Sequence, residues 1–160
     1  MKKVAVDRCL SPRFPGMLNA MYGRHGYEFI SVKDLGGGPD TMWADTFKRF
    51  GGELVLSGDY RIATRPHEAL AFIDNGFKSF FPGSEWQKIS MLHKSAWILH
   101  QWGLLMAELD QIPSGSCWRL GISYRSEHLS LGNTISLKRL EIPKRILDQE
   151  RARASAGDRQ

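Results

Sequence analysis

The chain of 160 residues, 42% hydrophobic and 24% charged, with a net charge of +5, suits one compact domain long enough to bury a core. No uninterrupted apolar run reaches membrane-spanning length, since even Ala96 to Leu109 is broken by His100, Gln101, Gly103 and Glu108, so a membrane span is excluded. Only Val4 to Val6 are apolar between Lys3 and Asp7, too few for an export signal, which points to the cytoplasm and to Cys9 and Cys117 as reduced, buried thiols.

In chain order the pattern alternates strand and helix. Lys3 to Val6 is a β-branched run, and Pro12 opens an amphipathic helix through Arg24 on which Phe14, Leu18, Met21 and Tyr22 recur at helical spacing. Tyr27 to Val32 reads as a second strand and Gly36-Gly37-Gly38-Pro39 as a loop. Asp40 then caps a helix carrying Met42, Trp43, Phe47 and Phe50, which Gly51-Gly52 ends. Glu53 to Ser57 is a third strand, Pro66 to about Asn75 a helix, and Phe77 to Phe81 a fourth strand.

The next helix is expected to start near Ser84 or Glu85, with Ile89, Leu92, Ala96, Leu99, Gly103 and Met106 as one apolar seam. That seam is read first as core and second as a homodimer or partner surface, because parallel strands need cover on both faces. Trp118, Leu120, Ile122 and Tyr124 alternate as an edge strand. From Ser126 onward the pattern weakens, and Ser136 to Gln160 carries a net +3. The chain therefore divides into a domain over residues 1–125 and a basic extension over 126–160, whose last ten residues lack an apolar face and are expected to be disordered. Mild basicity is compatible with nucleic acid without deciding for it.

Three aspartates hold the functional signal: Asp7 just past the first apolar run, Asp40 at a helix mouth and Asp59 just past the third strand. Singly, each has an ordinary explanation as a helix cap or turn residue. Jointly, acids at the C-terminal ends of parallel strands converge on one side of a sheet, where hard ions such as Mg²⁺ or Mn²⁺ take oxygen ligands. Asp34 is a weaker fourth candidate, and Asp45, about 140° round the helix from Asp40, cannot share its metal. His93 and His100 share a helical face but have no third ligand nearby in sequence.

The stretches Val6-Asp7-Arg8-Cys9-Leu10-Ser11-Pro12, Pro39-Asp40-Thr41-Met42-Trp43-Ala44 and Gly52-Glu53-Leu54-Val55-Leu56-Ser57-Gly58-Asp59-Tyr60-Arg61-Ile62 resemble a PIN-like domain, and within that group the compact proteins classed with VapC-type toxin ribonucleases. The resemblance covers about residues 3 to 120. It implies an α/β fold with a doubly wound, mostly parallel central sheet and helices on both faces, and Mg²⁺- or Mn²⁺-dependent hydrolysis of RNA phosphodiesters. It also implies a cognate antitoxin encoded alongside. By position Asp7, Asp40 and Asp59 match the family's acids, and Ser57 its hydroxyl position. The acid that the wider family carries on a helix after its first strands has no clear match. Arg61 and Arg65, just after Asp59, are placed to contact phosphate.

Two rival classes remain. A phosphoacceptor receiver domain would need an acidic pair at the first site and a lysine after the last strand, but Asp7 is followed by Arg8 and no lysine lies in residues 95–119. An inactive PIN-like module binding RNA or protein is the stronger rival, separated from the enzyme by activity with added Mn²⁺.

Overall fold

The computed structural model describes residues 1–7, 10–36, 38–59, 61–121, 123–125, 128–130 and 135–157, with the backbone alone at 40, 41, 63, 123–125 and 128–130. Strand and helix alternate: β1 (Lys2–Val6), α1 (Phe14–Tyr22), β2 (Tyr27–Ser31), α2 (Asp40–Arg49), β3 (Gly52–Leu56), α3 (Pro66–Asp74), β4 (Lys78–Pro82), α4 (Met91–Glu108) and β5 (Ser116–Leu120). There follow β6 (Ser123–Arg125), β7 (His128–Ser130), β8 (Leu137–Arg139) and α5 (Lys144–Gly157). One sheet has the strand order β2-β1-β3-β4-β5-β8, while β6 and β7 pair apart from it. Strands β1 to β5 are parallel and β8 is antiparallel to β5.

The period-two alternation of the strands divides the core into two layers. Val4, Val6, Leu54, Leu56, Phe80 and Leu120 pack on the side of α1 and α4, while Ala5, Val55, Phe81 and Cys117 pack on the side of α2 and α3. Aromatic rings fill both layers: Trp102 stands edge-on to Tyr27 and Phe29 at 5.7 and 4.9 Å, and Trp43 lies 5.4 Å from Phe72. The fold is thus a three-layer α/β sandwich. Because β2 and β3 flank β1 on opposite sides, the connections leaving β1 and β3 diverge, which opens a crevice at their C-terminal ends.

Five expectations change. Residues Ser84–Lys88 form a 3-10 turn, and α4 begins only at Met91, capped by Ser90, whose side chain accepts the His93 N–H at 3.3 Å. Helix α4 is apolar around much of its circumference, and the expected seam is not its most buried stripe. The buried stripe is Trp97, Ile98, Gln101, Trp102 and Leu105, and Leu92 is 76% exposed. Leu99 lies on the flank beside α1, where the Tyr22 hydroxyl donates to its carbonyl.

Strand β5 is interior rather than an edge, since β8 pairs along its outer side; with only Leu137 apolar in three residues, β8 has no alternation to read. Tyr124 belongs to the separate hairpin, and Ile122 lies outside the described residues. Residues 151–157, expected to be disordered, continue α5, and residues 158–160 lie outside the described residues. Charge pairs rather than an apolar face hold that helix: Arg151 meets Asp74 of α3 at 2.7 Å and Asp148 at 3.2 Å, and Arg153 meets Glu150 at 2.8 Å. Such exposed pairs contribute less than about 1 kcal/mol each, so the sheet and its two apolar layers dominate stability. Finally, Pro39 occupies the cap of α2 and Asp40 its first turn, where a negative charge is still favoured by the helix dipole.

Burial alone acts on Cys117, pushing its thiol up to about 12 and keeping it protonated and unreactive at neutral pH. Cys9 lies outside the described residues. Among the described residues no helix is long and apolar enough to cross a membrane.

The register of β1 on β3 shifts between Lys3 and Val4, where Gly52 faces Lys3. A Cβ on Gly52 would lie 2.3 Å from the fully buried Phe47 ring. Gly52→Ala should therefore destabilise the protein by about 1–3 kcal/mol, read as a lower urea midpoint at unchanged slope. An unchanged midpoint would show that Phe47 does not hold this junction.

Candidate active site at the strand ends

Asp7 follows β1 directly, and its N–H donates to the Leu56 carbonyl of β3 at 2.9 Å, while the Ser57 N–H donates to the Phe80 carbonyl of β4 at 3.0 Å. The sheet ladder thus continues one residue past β1 and β3 and sets Asp7 beside Ser57. The Ser57 hydroxyl donates to Asp7 Oδ2 at 2.7 Å and accepts the backbone N–H of Asp59 at 3.1 Å. Asp59 Oδ1 in turn accepts the Arg61 N–H at 2.9 Å, closing an Asx turn. One hydroxyl therefore ties the two acids together.

Their environments differ. Asp7 is 6% exposed, and among the described residues Ser57 supplies its only side-chain hydrogen bond and no Lys, Arg or His pairs with it. A buried carboxylate with one neutral donor is costly unless a cation completes it. Asp7 lines a cavity of about 20 Å³ with Ser11, Ser31, Lys33 and neighbouring apolar groups, room for one water or ion. Asp59, less buried, has Arg65 at 3.1 Å and Arg61 at 3.8 Å. The two arginines that the sequence placed on phosphate are thus seated on Asp59.

The carboxylates of the buried Asp7 and of Asp59 are oxygen donors of the type a hard divalent ion takes. Asp40, the third expected ligand, begins α2 on the same side of the sheet, but its side chain lies outside the described residues. Among the described residues no three His, Cys, Asp or Glu side chains converge on a metal position. Asp34 is exposed in the turn Val32–Leu35. Asp45 points away: it accepts from Asn75 Nδ2 at 3.0 Å and faces a separate groove of about 570 Å³ beside α3 and α5. His93 and His100 lie on α4, in the opposite layer from α2 and α3.

A family model described as a PIN like domain matches residues 2–84, just over half the chain. The protein belongs to the PIN-like domain family. No curated protein and no solved structure matches it. PIN-like domains are commonly nucleases, and some are inactive. The matched segment of this PIN-like domain contains Asp7, Asp40, Ser57 and Asp59, and ends just past β4.

Two charged residues near the acids, Lys33 and Glu68, are not among the residues expected from the sequence. Lys33 stands two residues past β2 and lines the cavity beside Asp7, next to Asp34, the residue that the sequence favours. Glu68, at 3.3 Å from Arg65, had its three-residue spacing from Arg65 as a signal.

If Ser57 links the acids, Ser57→Ala should destabilise the protein by about 1–3 kcal/mol by leaving Asp7 without its donor. In a double-mutant cycle with Asp7→Asn, urea unfolding should give a coupling of at least about 1 kcal/mol. Additive effects would mean that the bond contributes nothing to the folded state.

Proposed function

We propose that this PIN-like protein is a Mg²⁺- or Mn²⁺-dependent endoribonuclease that hydrolyses RNA phosphodiesters in the cytoplasm, of the VapC type, with a cognate antitoxin as partner. The observation that carries this reading is the buried Asp7 carboxylate at the β1–β3 crevice, joined through Ser57 to Asp59 and lacking a protein cation among the described residues. Family membership supports the reaction class.

A bound divalent ion would supply Lewis acidity toward the phosphate and acidify the attacking water. The chain's own residues do the rest. Asp7 and Asp59, with Asp40, would hold the ion; Ser57 fixes the orientation of Asp7; and Lys33, on the same cavity as Asp7, would attract the phosphate backbone. No side-chain nucleophile is needed.

The second reading, an inactive module that binds RNA or protein, is favoured by the arginines already paired with Asp59. Incubation with total RNA and end mapping, with and without Mn²⁺, separates the two. New ends that appear with Mn²⁺ and vanish in excess EDTA support the enzyme; none under either condition supports the module. Asp7→Asn, Asp40→Asn and Asp59→Asn should each lower cleavage by about a hundredfold or more, while Asp45→Asn, bonded to Asn75 on another face, should cleave like the parent.

A further inference from the structure

Arg65 sits between two acids. Its Nη1 lies 3.1 Å from Asp59 Oδ2, and 3.3 and 3.4 Å from the two carboxylate oxygens of Glu68. Glu68 is in the first turn of α3 and its side chain is 18% exposed, a place where the helix dipole favours a negative charge. Asp59 is only 12% exposed, so its contact with Arg65 is shielded from solvent and salt more than a surface pair would be.

A guanidinium and a divalent ion on the same carboxylate oxygen each weaken the other's hold, because like charges at close range repel strongly in a partly buried setting. Arg65 need not lose its counter-charge to make room, since Glu68 is already within hydrogen-bond reach. We propose that Arg65 is a positioning residue that competes with the divalent cation for Asp59, and that Glu68 is the seat to which it withdraws when the cation binds. This rests on the reading that Asp7 and Asp59 hold the ion. It assigns Arg65 a role beyond phosphate contact: it sets how much free cation the site needs before it loads.

The test is Mn²⁺ affinity of the full-length protein, measured by titrating free Mn²⁺ by electron paramagnetic resonance. Arg65→Gln should bind Mn²⁺ about tenfold more tightly, the size of one partly buried charge-assisted contact removed from competition. Arg65→Lys, which keeps the charge without the planar fork, should tighten binding less. Glu68→Gln should weaken binding about threefold or more, because Arg65 then has Asp59 as its one remaining carboxylate of the pair. In the Arg65→Gln background the same Glu68 change should have no effect. Circular dichroism of each variant confirms that the compared proteins are folded.

If Asp59→Asn weakens Mn²⁺ binding but Arg65→Gln leaves it unchanged or weaker, the competition is overturned while the metal site stands. If Glu68→Gln weakens binding equally with and without Arg65, Glu68 is itself a ligand and the withdrawal is overturned. If Asp59→Asn leaves the parent affinity untouched, the proposal falls together with the metal reading beneath it.

Discussion

The hydroxyl of Ser57 has one proton and two lone pairs, and the structure commits it to both acids: the proton to Asp7 Oδ2 and a lone pair to the N–H of Asp59. Neither acid can be placed independently of the other. The link exists only while β1 and β3 keep the register that pairs Val6 with Leu56, because a slip of one residue in a parallel ladder would turn the side chains to the opposite face. That register is in turn held by the two apolar layers, in which Val6 and Leu56 face α1 and α4 while Ala5 and Val55 face α2 and α3.

What the packing sustains is a local conflict. A carboxylate 6% exposed with a single neutral hydroxyl donor among the described residues works against folding, and stable folds tolerate such groups mainly at functional sites. Asp45 is the contrast within the same domain: exposed, hydrogen-bonded to Asn75 and turned to another groove, it has an ordinary structural role. Asp59 is intermediate, since arginines compensate its charge. The two acids joined by Ser57 are thus electrostatically unequal: among the described residues Asp59 has arginine partners and Asp7 has none.

Much of this was legible in the sequence, and the boundary of legibility has physical causes. The apolar runs ending at Val6 and Leu56 announce their strands because parallel strands buried on both faces read as continuous apolar stretches; once they are strands, the positions of Asp7 and Asp59 follow. Beyond β4 the signals fail. Helix α4 is apolar around much of its circumference, so its buried stripe through Trp97 and Trp102 could not be told from the neighbouring one through Leu99. Strand β8 and the last turns of α5 are held by pairing with β5 and by the Arg151–Asp74 ion pair, partners that lie far off in sequence. The seating of Arg65 on Asp59 was invisible for a related reason: the 3-10 turn Ile62–Thr64 lies between them and the two side chains meet, and no propensity encodes that meeting.

Anomalous diffraction from crystals soaked in Mn²⁺ tests most directly whether the strand-end acids are a cation seat. A single strong anomalous peak within about 2.0–2.3 Å of carboxylate oxygens of Asp7 and Asp59 is the predicted result. Well-ordered crystals that show no peak there, or a peak only in the groove beside Asp45 and Asp74, would contradict it.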